Sequence, residues 1–160
     1  GVGRWITYKR FDLMIEIAAA ARLPLVIAGG GPEAESLRRL AASCGAEVTF
    51  ESYPSRERLR ELYRGARCLL YPAREDFGIV PVEAQACGTP VVGLARGGLL
   101  ETVLDGRTGF LLDSLNPADY VDAVRRVDRI SAADAIAHAR TFSDAVFRRS
   151  VEAWVSDETD

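Results

Sequence analysis

Several residue types that build catalytic and metal centres are scarce in this chain. It has one histidine, His138, and three cysteines, Cys44, Cys68 and Cys87, which are widely spaced and form no CxxC pair. Histidine-dependent triads, zinc sites and a disulfide framework are therefore not expected. Unpaired cysteines in odd number predict a reducing, cytoplasmic compartment. Lys9 is the single lysine among 20 basic residues, which draws attention to it.

Long hydrophobic runs and an excess of positive charge are also lacking. The longest apolar runs, such as 23–28 and 79–82, are far too short for a membrane span, and no basic-then-apolar leader opens the chain. A net charge of −3 argues against a nucleic-acid partner. With 160 residues, 48% of them hydrophobic, we expect one globular domain, and the start at Gly1 is expected to be a cut within a longer protein.

Short apolar runs alternate with amphipathic helical stretches along the chain. This alternation is typical of a parallel sheet covered on both faces, so we predict an α/β, doubly wound sheet of about six strands. We expect a single domain over 1–155 and a frayed tail over 156–160. The predicted strands are 1–6, 25–28, 48–50, 68–71, 90–94 and 108–112. The predicted helices are 10–21, 33–44, one capped by Ser55, one from near Pro81 to Gly88, 117–127 and two pieces reaching Trp154.

Two loops beyond strand ends are candidate ligand sites, because ligands of doubly wound folds bind at the carboxyl ends of the strands. The first strand runs into Gly3, Arg4 and Lys9. A guanidinium fork and an ammonium suit the oxygens of a diphosphate, although ordinary surface charge is the alternative. The second strand runs into the glycines of 29–31, which permit close backbone approach. Their spacing is not GxGxxG, so no dinucleotide site is predicted, and a tight turn with Glu33 at a helix N-terminus is the alternative.

The segment after the fourth strand has the densest set of candidate groups. Glu75 lies in a loop and Glu83 in the first turn of the next helix, with seven residues between them. The backbone amides of Phe77, Gly78 and Ile79, next to a helix N-terminus, form a seat for an anion. Each carboxylate could accept hydrogen bonds from a vicinal diol, such as a ribose or a second sugar. The alternatives are a solvated loop carboxylate at Glu75 and helix-dipole stabilisation at Glu83.

These motifs and others occur in a fixed order. They are Gly3-Arg4, Tyr8 to Leu13, Gly29 to Glu33, Glu75 to Val92, Gly97 to Glu101 and Asp105 to Leu111. In this order and spacing they resemble the donor-binding domain of retaining family 4 (group 1) glycosyltransferases, over roughly residues 1–128. The stretch 8–13 is similar to a mannosyltransferase subgroup. Gly30 departs from the pattern, because an aspartate usually occupies that position.

The resemblance implies the GT-B architecture, in which two Rossmann-like domains face each other across a cleft. This chain would be the nucleotide-sugar-binding domain, and its partner would be an N-terminal acceptor domain outside the chain. The implied activity is transfer of a hexose, mannose or glucose, from a GDP- or UDP-sugar to an unknown acceptor, with no metal and no cofactor. The resemblance is also compatible with peripheral membrane association of the full-length enzyme. Without the acceptor domain the chain cannot align donor and acceptor, so the chain alone is expected to be inactive.

The resemblance also implies roles for individual residues. Arg4, Lys9 and Glu75 would be catalytic: the two cations would hold the diphosphate and stabilise the departing charge in place of a metal, and Glu75 would hold sugar hydroxyls. Glu83 would hold the ribose and Tyr53 would border the nucleobase. The implied donor-binding residues are Gly3, Gly30, Tyr53, Phe77, Gly78, Ile79 and Glu83.

Two other functions stay open from the sequence. One is a stand-alone nucleotide-binding module. The other is a fragment of a GT-B sugar-nucleotide epimerase, which would need further acid–base groups near the sugar, whereas His138 lies far downstream of the motifs. The last helical segment, 142–154, is expected to expose an apolar face.

Overall fold

The computed structural model describes residues 1–157, and the predicted alternation of strands and helices is confirmed within them. The strands are β1 (Val2–Arg4), β2 (Leu25–Gly30), β3 (Val48–Ser52), β4 (Leu69–Tyr71), β5 (Val91–Leu94) and β6 (Gly109–Leu112). The α-helices are α1 (Phe11–Ala21), α2 (Ala34–Cys44), α3 (Arg56–Gly65), α4 (Ile79–Ala86), α5 (Leu99–Thr102), α6 (Pro117–Arg126), α7 (Ala132–Ala139) and α8 (Asp144–Asp157). The first two residues of the predicted tail therefore belong to α8, and 158–160 lie outside the described residues.

All strand pairs are parallel, as predicted, but the ladder is interrupted once. The strands hydrogen-bond as two sheets, in the orders β1-β2-β3 and β4-β5-β6, rather than as one six-stranded sheet. β1 and β4 are each three residues long. An apolar cavity of about 560 Å³ borders both of them and β2, with Val2, Val26 and Leu69 in its lining.

Helices cover both faces of the sheets, which confirms the doubly wound class. Successive side chains of a strand point to opposite faces, so Leu70 of β4 packs into one core and its neighbours Leu69 and Tyr71 into the other. The first core is closed by α1, α2 and α6, and the second by α3, α4 and α5. Burial of a large apolar side chain such as Ile15 or Leu99 contributes about 1.5–3 kcal/mol.

Local chemistry explains where the helices begin. Ser55 caps α3 as predicted, because its hydroxyl accepts from the N–H of Arg58 at 3.1 Å. The predicted start of the fourth helix near Pro81 is wrong: α4 begins at Ile79, since Gly78 takes a φ of +91° and forms the N-cap. Glu83 therefore lies in the second turn of α4, not in the first.

The last helix, α8, is exposed along most of its length. Its apolar residues Phe147, Val151 and Trp154 lie in solvent, which confirms the expected exposed apolar face. Of the two tryptophans, Trp5 is buried, whereas Trp154 is 62% exposed. No helix within residues 1–157 is both long and apolar enough to cross a membrane.

Candidate functional site

The carboxyl ends of β1 and β2 form an open depression of about 550 Å³. It is lined by Gly3, Arg4, Tyr53 and residues 29–32, so these predicted site residues do lie together. The two strands are in register at Gly3 and Gly29. A Cβ atom on Gly29 would collide with the carbonyl oxygen of Gly3, so the close approach of the strands requires glycine at this position.

Gly30 and Tyr53 form a pair across this depression. Tyr53 has a φ of +50°, its N–H donates to the carbonyl of Gly29 at 2.8 Å, and its side chain is 81% exposed. A Cβ atom on Gly30 would lie 2.5 Å from Cζ of the Tyr53 ring. The departure from the family pattern at Gly30 thus has a physical consequence, because a side chain here would displace the aromatic ring.

The turn that follows β1 is fastened to the glycine-rich loop. The N–H of Trp5 donates to the carbonyl of Gly30 at 2.9 Å, and the hydroxyl of Thr7 donates to the carboxylate of Glu33 at 2.6 Å. Arg4, at the end of β1, is exposed and forms no ion pair with any residue of 1–157. Its guanidinium is therefore available to an anion in the depression.

Lys9, at the end of this turn, crosses to the second sheet. Its ammonium forms an ion pair with Glu75 and donates to the hydroxyl of Tyr71 at 3.2 Å. The Lys9 and Glu75 side chains are 14% and 19% exposed. Burial alone would lower the pKa of Lys9, but the hydrogen bonds to Glu75 and Tyr71 outweigh it and raise that pKa above its ordinary value. Lys9 is therefore a fixed cation at neutral pH.

The loop that contains Glu75 is held by two glycines. The N–H of Gly98 donates to the carbonyl of Glu75 at 2.7 Å. At Gly97, where φ is +61°, an added Cβ atom would collide with the carbonyl of Glu75. At Gly98, an added Cβ atom would collide with the carbonyl of Phe77. The Gly97-Gly98 pair thus permits the close contact that places the Glu75 loop.

The N-terminus of α4 follows this loop, with Phe77 and Ile79 exposed and Gly78 buried between them. Within residues 1–157 the N–H groups of Phe77, Gly78 and Ile79 have no hydrogen-bond acceptor. The Phe77 ring is half-exposed and meets Phe142 edge to face, with ring centroids 5.8 Å apart. Unsatisfied N–H groups at the start of a helix attract negative charge, so the predicted anion seat is structurally possible.

Glu83 lies on the exposed side of α4. The hydroxyl of Tyr63, a buried residue of α3, donates to Oε2 of Glu83 at 3.0 Å. Burial, and to a smaller extent the charge of Glu83, raises the pKa of Tyr63. The phenol therefore keeps its proton and remains a hydrogen-bond donor. The contact leaves the other carboxylate oxygen of Glu83 for a ligand.

The sequence reasoning missed both tyrosines that contact charged residues of the site. Tyr71 ends a buried apolar strand, and Tyr63 lies on the inward side of a helix, where the local pattern indicates packing and not hydrogen bonding. The available signal was chemical, because a buried tyrosine usually finds a partner for its hydroxyl. Among residues 1–157 no group of three or more His, Cys, Asp or Glu side chains is arranged to hold a metal ion.

Comparison with known proteins gives the same family for most of the chain. The model of the family described as "Glycosyl transferases group 1" matches residues 1–141. A D-inositol 3-phosphate glycosyltransferase of Thermomonospora curvata is 42% identical over 89% of this chain and 37% of its own length. The protein of the same name from Mycolicibacterium smegmatis is 43% identical over 89% of this chain and 36% of its own length. The chain thus spans little more than a third of these relatives.

Solved structures show the same fold. The pneumococcal O-GlcNAc transferase GtfA, solved in complex with UDP and GlcNAc, has a TM-score of 0.81 and 21% identity, covering 98% of this chain and 34% of GtfA. Anabaena Alr3699/HepE, solved in complex with UDP and glucose, has a TM-score of 0.82 and 22% identity, covering 97% of this chain and 48% of that protein. At these identities the likeness extends to the fold.

Proposed function

Because this chain belongs to the glycosyl transferases of group 1, we propose that it is the part of a retaining glycosyltransferase that binds a nucleoside-diphosphate sugar. The observation that carries the proposal is the Lys9–Glu75 pair beside the unsatisfied amides of 77–79. A cation, a carboxylate and free N–H donors at the carboxyl ends of the strands suit a ligand that has both phosphate and hydroxyl groups.

In this proposal the two cations stabilise the leaving group. When the bond between the anomeric carbon and the diphosphate breaks, its electron pair goes to the diphosphate oxygen. Arg4, which is exposed at the end of β1 and has no ion pair among residues 1–157, and Lys9, fixed by Glu75 and Tyr71, supply the positive charge that the oxygen requires. Because the fold holds Lys9 in place beforehand, little reorganisation accompanies the step.

The remaining residues bind the rest of the donor. Glu75 accepts hydrogen bonds from sugar hydroxyls through the oxygen that Lys9 does not use, and Glu83 accepts them from the ribose. The exposed ring of Tyr53 offers an apolar face to the nucleobase. The N–H groups of Phe77, Gly78 and Ile79 donate to sugar or phosphate oxygens.

The rest of the transferase lies outside this chain in the proposal. The chain spans 37% and 36% of the two relatives, which supports an acceptor-binding domain elsewhere in the whole protein. The isolated chain then transfers nothing, because it cannot align an acceptor. The transferred sugar in this proposal is a hexose. D-inositol 3-phosphate, which occurs in the names of the two relatives, is the first acceptor to try with the whole protein.

Calorimetric titration of the chain with UDP, GDP and ADP tests the proposal. We expect one of them to bind, and both Glu83→Gln and Lys9→Met to weaken its binding by about tenfold, the loss of one charge-assisted contact. Glu16→Gln, an exposed carboxylate on α1, is the matched control and should bind as the original chain does. The proposal is contradicted by an original chain that binds none of the three at millimolar concentration, or by unchanged binding in both variants.

A further inference from the structure

The hydroxyl of Tyr71 lies beside the central ion pair of the candidate site. Tyr71 is the last residue of β4, its side chain is only 2% exposed, and its ring packs in the core closed by α3, α4 and α5. The hydroxyl nevertheless accepts a hydrogen bond from Lys9 at 3.2 Å. A phenylalanine would fill the same space, so the hydroxyl itself needs an explanation.

The hydrogen bonds of Lys9 suggest what that hydroxyl does. An ammonium has three N–H donors. In the structure one points to Glu75 and one to Tyr71, which leaves one for a ligand. Glu75 lies in a loop, whereas Tyr71 is anchored in a buried strand. Of the two partners, Tyr71 is therefore the one whose position the core fixes.

Tyr71 acts here as a neutral phenol. Burial raises its pKa to about 12, with Lys9 opposing and Glu75 adding to this effect, so the hydroxyl keeps its proton at neutral pH. It cannot serve as a base under those conditions, and its remaining chemistry is hydrogen bonding. Without it, the ammonium would be directed by the single carboxylate of Glu75.

We propose that Tyr71 is a positioning residue, which holds the Lys9 ammonium so that its third N–H meets the diphosphate of the donor. This rests on the proposed function for the role of Lys9, but not for the contact itself. Tyr71 touches neither sugar nor nucleotide in this account. It acts through Lys9, and it keeps the cation from turning wholly toward Glu75.

The contact can be tested without any ligand, because the chain has a single lysine. Lysine labelled with ¹³C at Cε gives one resonance from Lys9, whose pH titration reports its pKa. Since the Tyr71 hydrogen bond raises that pKa, Tyr71→Phe should lower the midpoint. Tyr120→Phe is the matched control: Tyr120 is fully buried, and its hydroxyl has no hydrogen-bond partner among residues 1–157. It should leave the midpoint in place.

Binding of inorganic pyrophosphate and of the preferred nucleoside diphosphate tests the consequence. Tyr71→Phe should weaken both about fivefold, because Glu75 alone then directs the Lys9 ammonium, and Tyr120→Phe should weaken neither. An unmoved Lys9 midpoint in Tyr71→Phe, or binding equal to that of the original chain, overturns the proposal. If the original chain binds no nucleoside diphosphate, the proposed function fails, and the titration still decides whether Tyr71 holds Lys9.

Discussion

Replacing Gly97 by alanine should displace the loop that places Glu75. Gly97 lies at φ +61°, and an added Cβ atom would collide with the carbonyl oxygen of Glu75. That carbonyl accepts the hydrogen bond from the N–H of Gly98 at 2.7 Å, so the loop cannot move away without weakening the bond. Gly97→Ala therefore combines backbone strain, a steric clash and a lost hydrogen bond.

The expected size follows from these three contributions. Alanine at a positive φ costs about 1–2 kcal/mol, and the hydrogen bond contributes about 1 kcal/mol. Gly106 is the matched control, because its φ is +72° and no described atom lies within 4 Å of its Cβ position. Gly106→Ala should therefore cost only the strain. We expect Gly97→Ala to lower the free energy of unfolding by about 1–2 kcal/mol more than the control does.

Urea denaturation and thermal melting measure this difference, which corresponds to about 2–8 °C in Tm for a domain of this size. Nucleotide titration measures the second consequence, since a displaced Glu75 no longer holds Lys9. Gly97→Ala should weaken nucleoside diphosphate binding, and Gly106→Ala should not. The reasoning is refuted if the two variants are equally stable and bind the nucleotide equally well.

Three further predictions concern the tyrosines and the glycine-rich depression. Tyr63→Phe removes the hydrogen bond that orients Glu83. Calorimetry should therefore show about fivefold weaker binding of the nucleoside diphosphate and unchanged binding of pyrophosphate. Equal losses of affinity for both ligands would contradict this prediction. Gly30→Asp pushes aside the exposed ring of Tyr53. It should change the nucleotide affinity measured by calorimetry and lower the free energy of unfolding by less than about 1 kcal/mol. An unchanged affinity would count against a role for Tyr53. The pKa of Tyr71 is about 12 in the folded chain and has its ordinary value of 10 in the unfolded chain. The stability that the protonated phenol contributes is therefore complete below pH 10 and is lost as the pH rises toward 12. Urea denaturation between pH 9 and 12 should therefore show a steeper loss of stability for the original chain than for Tyr71→Phe, and parallel curves would be inconsistent with that pKa.

The sequence was sufficient for the order of the elements because local patterns determine them. Runs such as 25–28 and 69–71 are too apolar to lie anywhere but in a buried strand, and Ser55 is a cap by its own chemistry. The start of α4 was misplaced because a glycine such as Gly78 fits a loop and an N-cap equally well.

The candidate site was predictable in its composition but not in its contacts. Lys9, Glu75 and Glu83 were identified from motif spacing and resemblance. The contacts of Lys9 with Tyr71 and Glu75 join residues 62 and 66 positions apart, which only the packing of the two sheets brings together. The interruption between β1 and β4 is likewise a property of three-dimensional packing, and no local pattern indicates it.

A crystal structure of this chain with its preferred nucleoside diphosphate tests the central claim most directly. We expect the diphosphate within about 3 Å of Arg4 and the Lys9 ammonium, with the ribose hydroxyls on Glu83. A nucleotide bound elsewhere, for example in the apolar cavity that borders β1, β2 and β4, would contradict it.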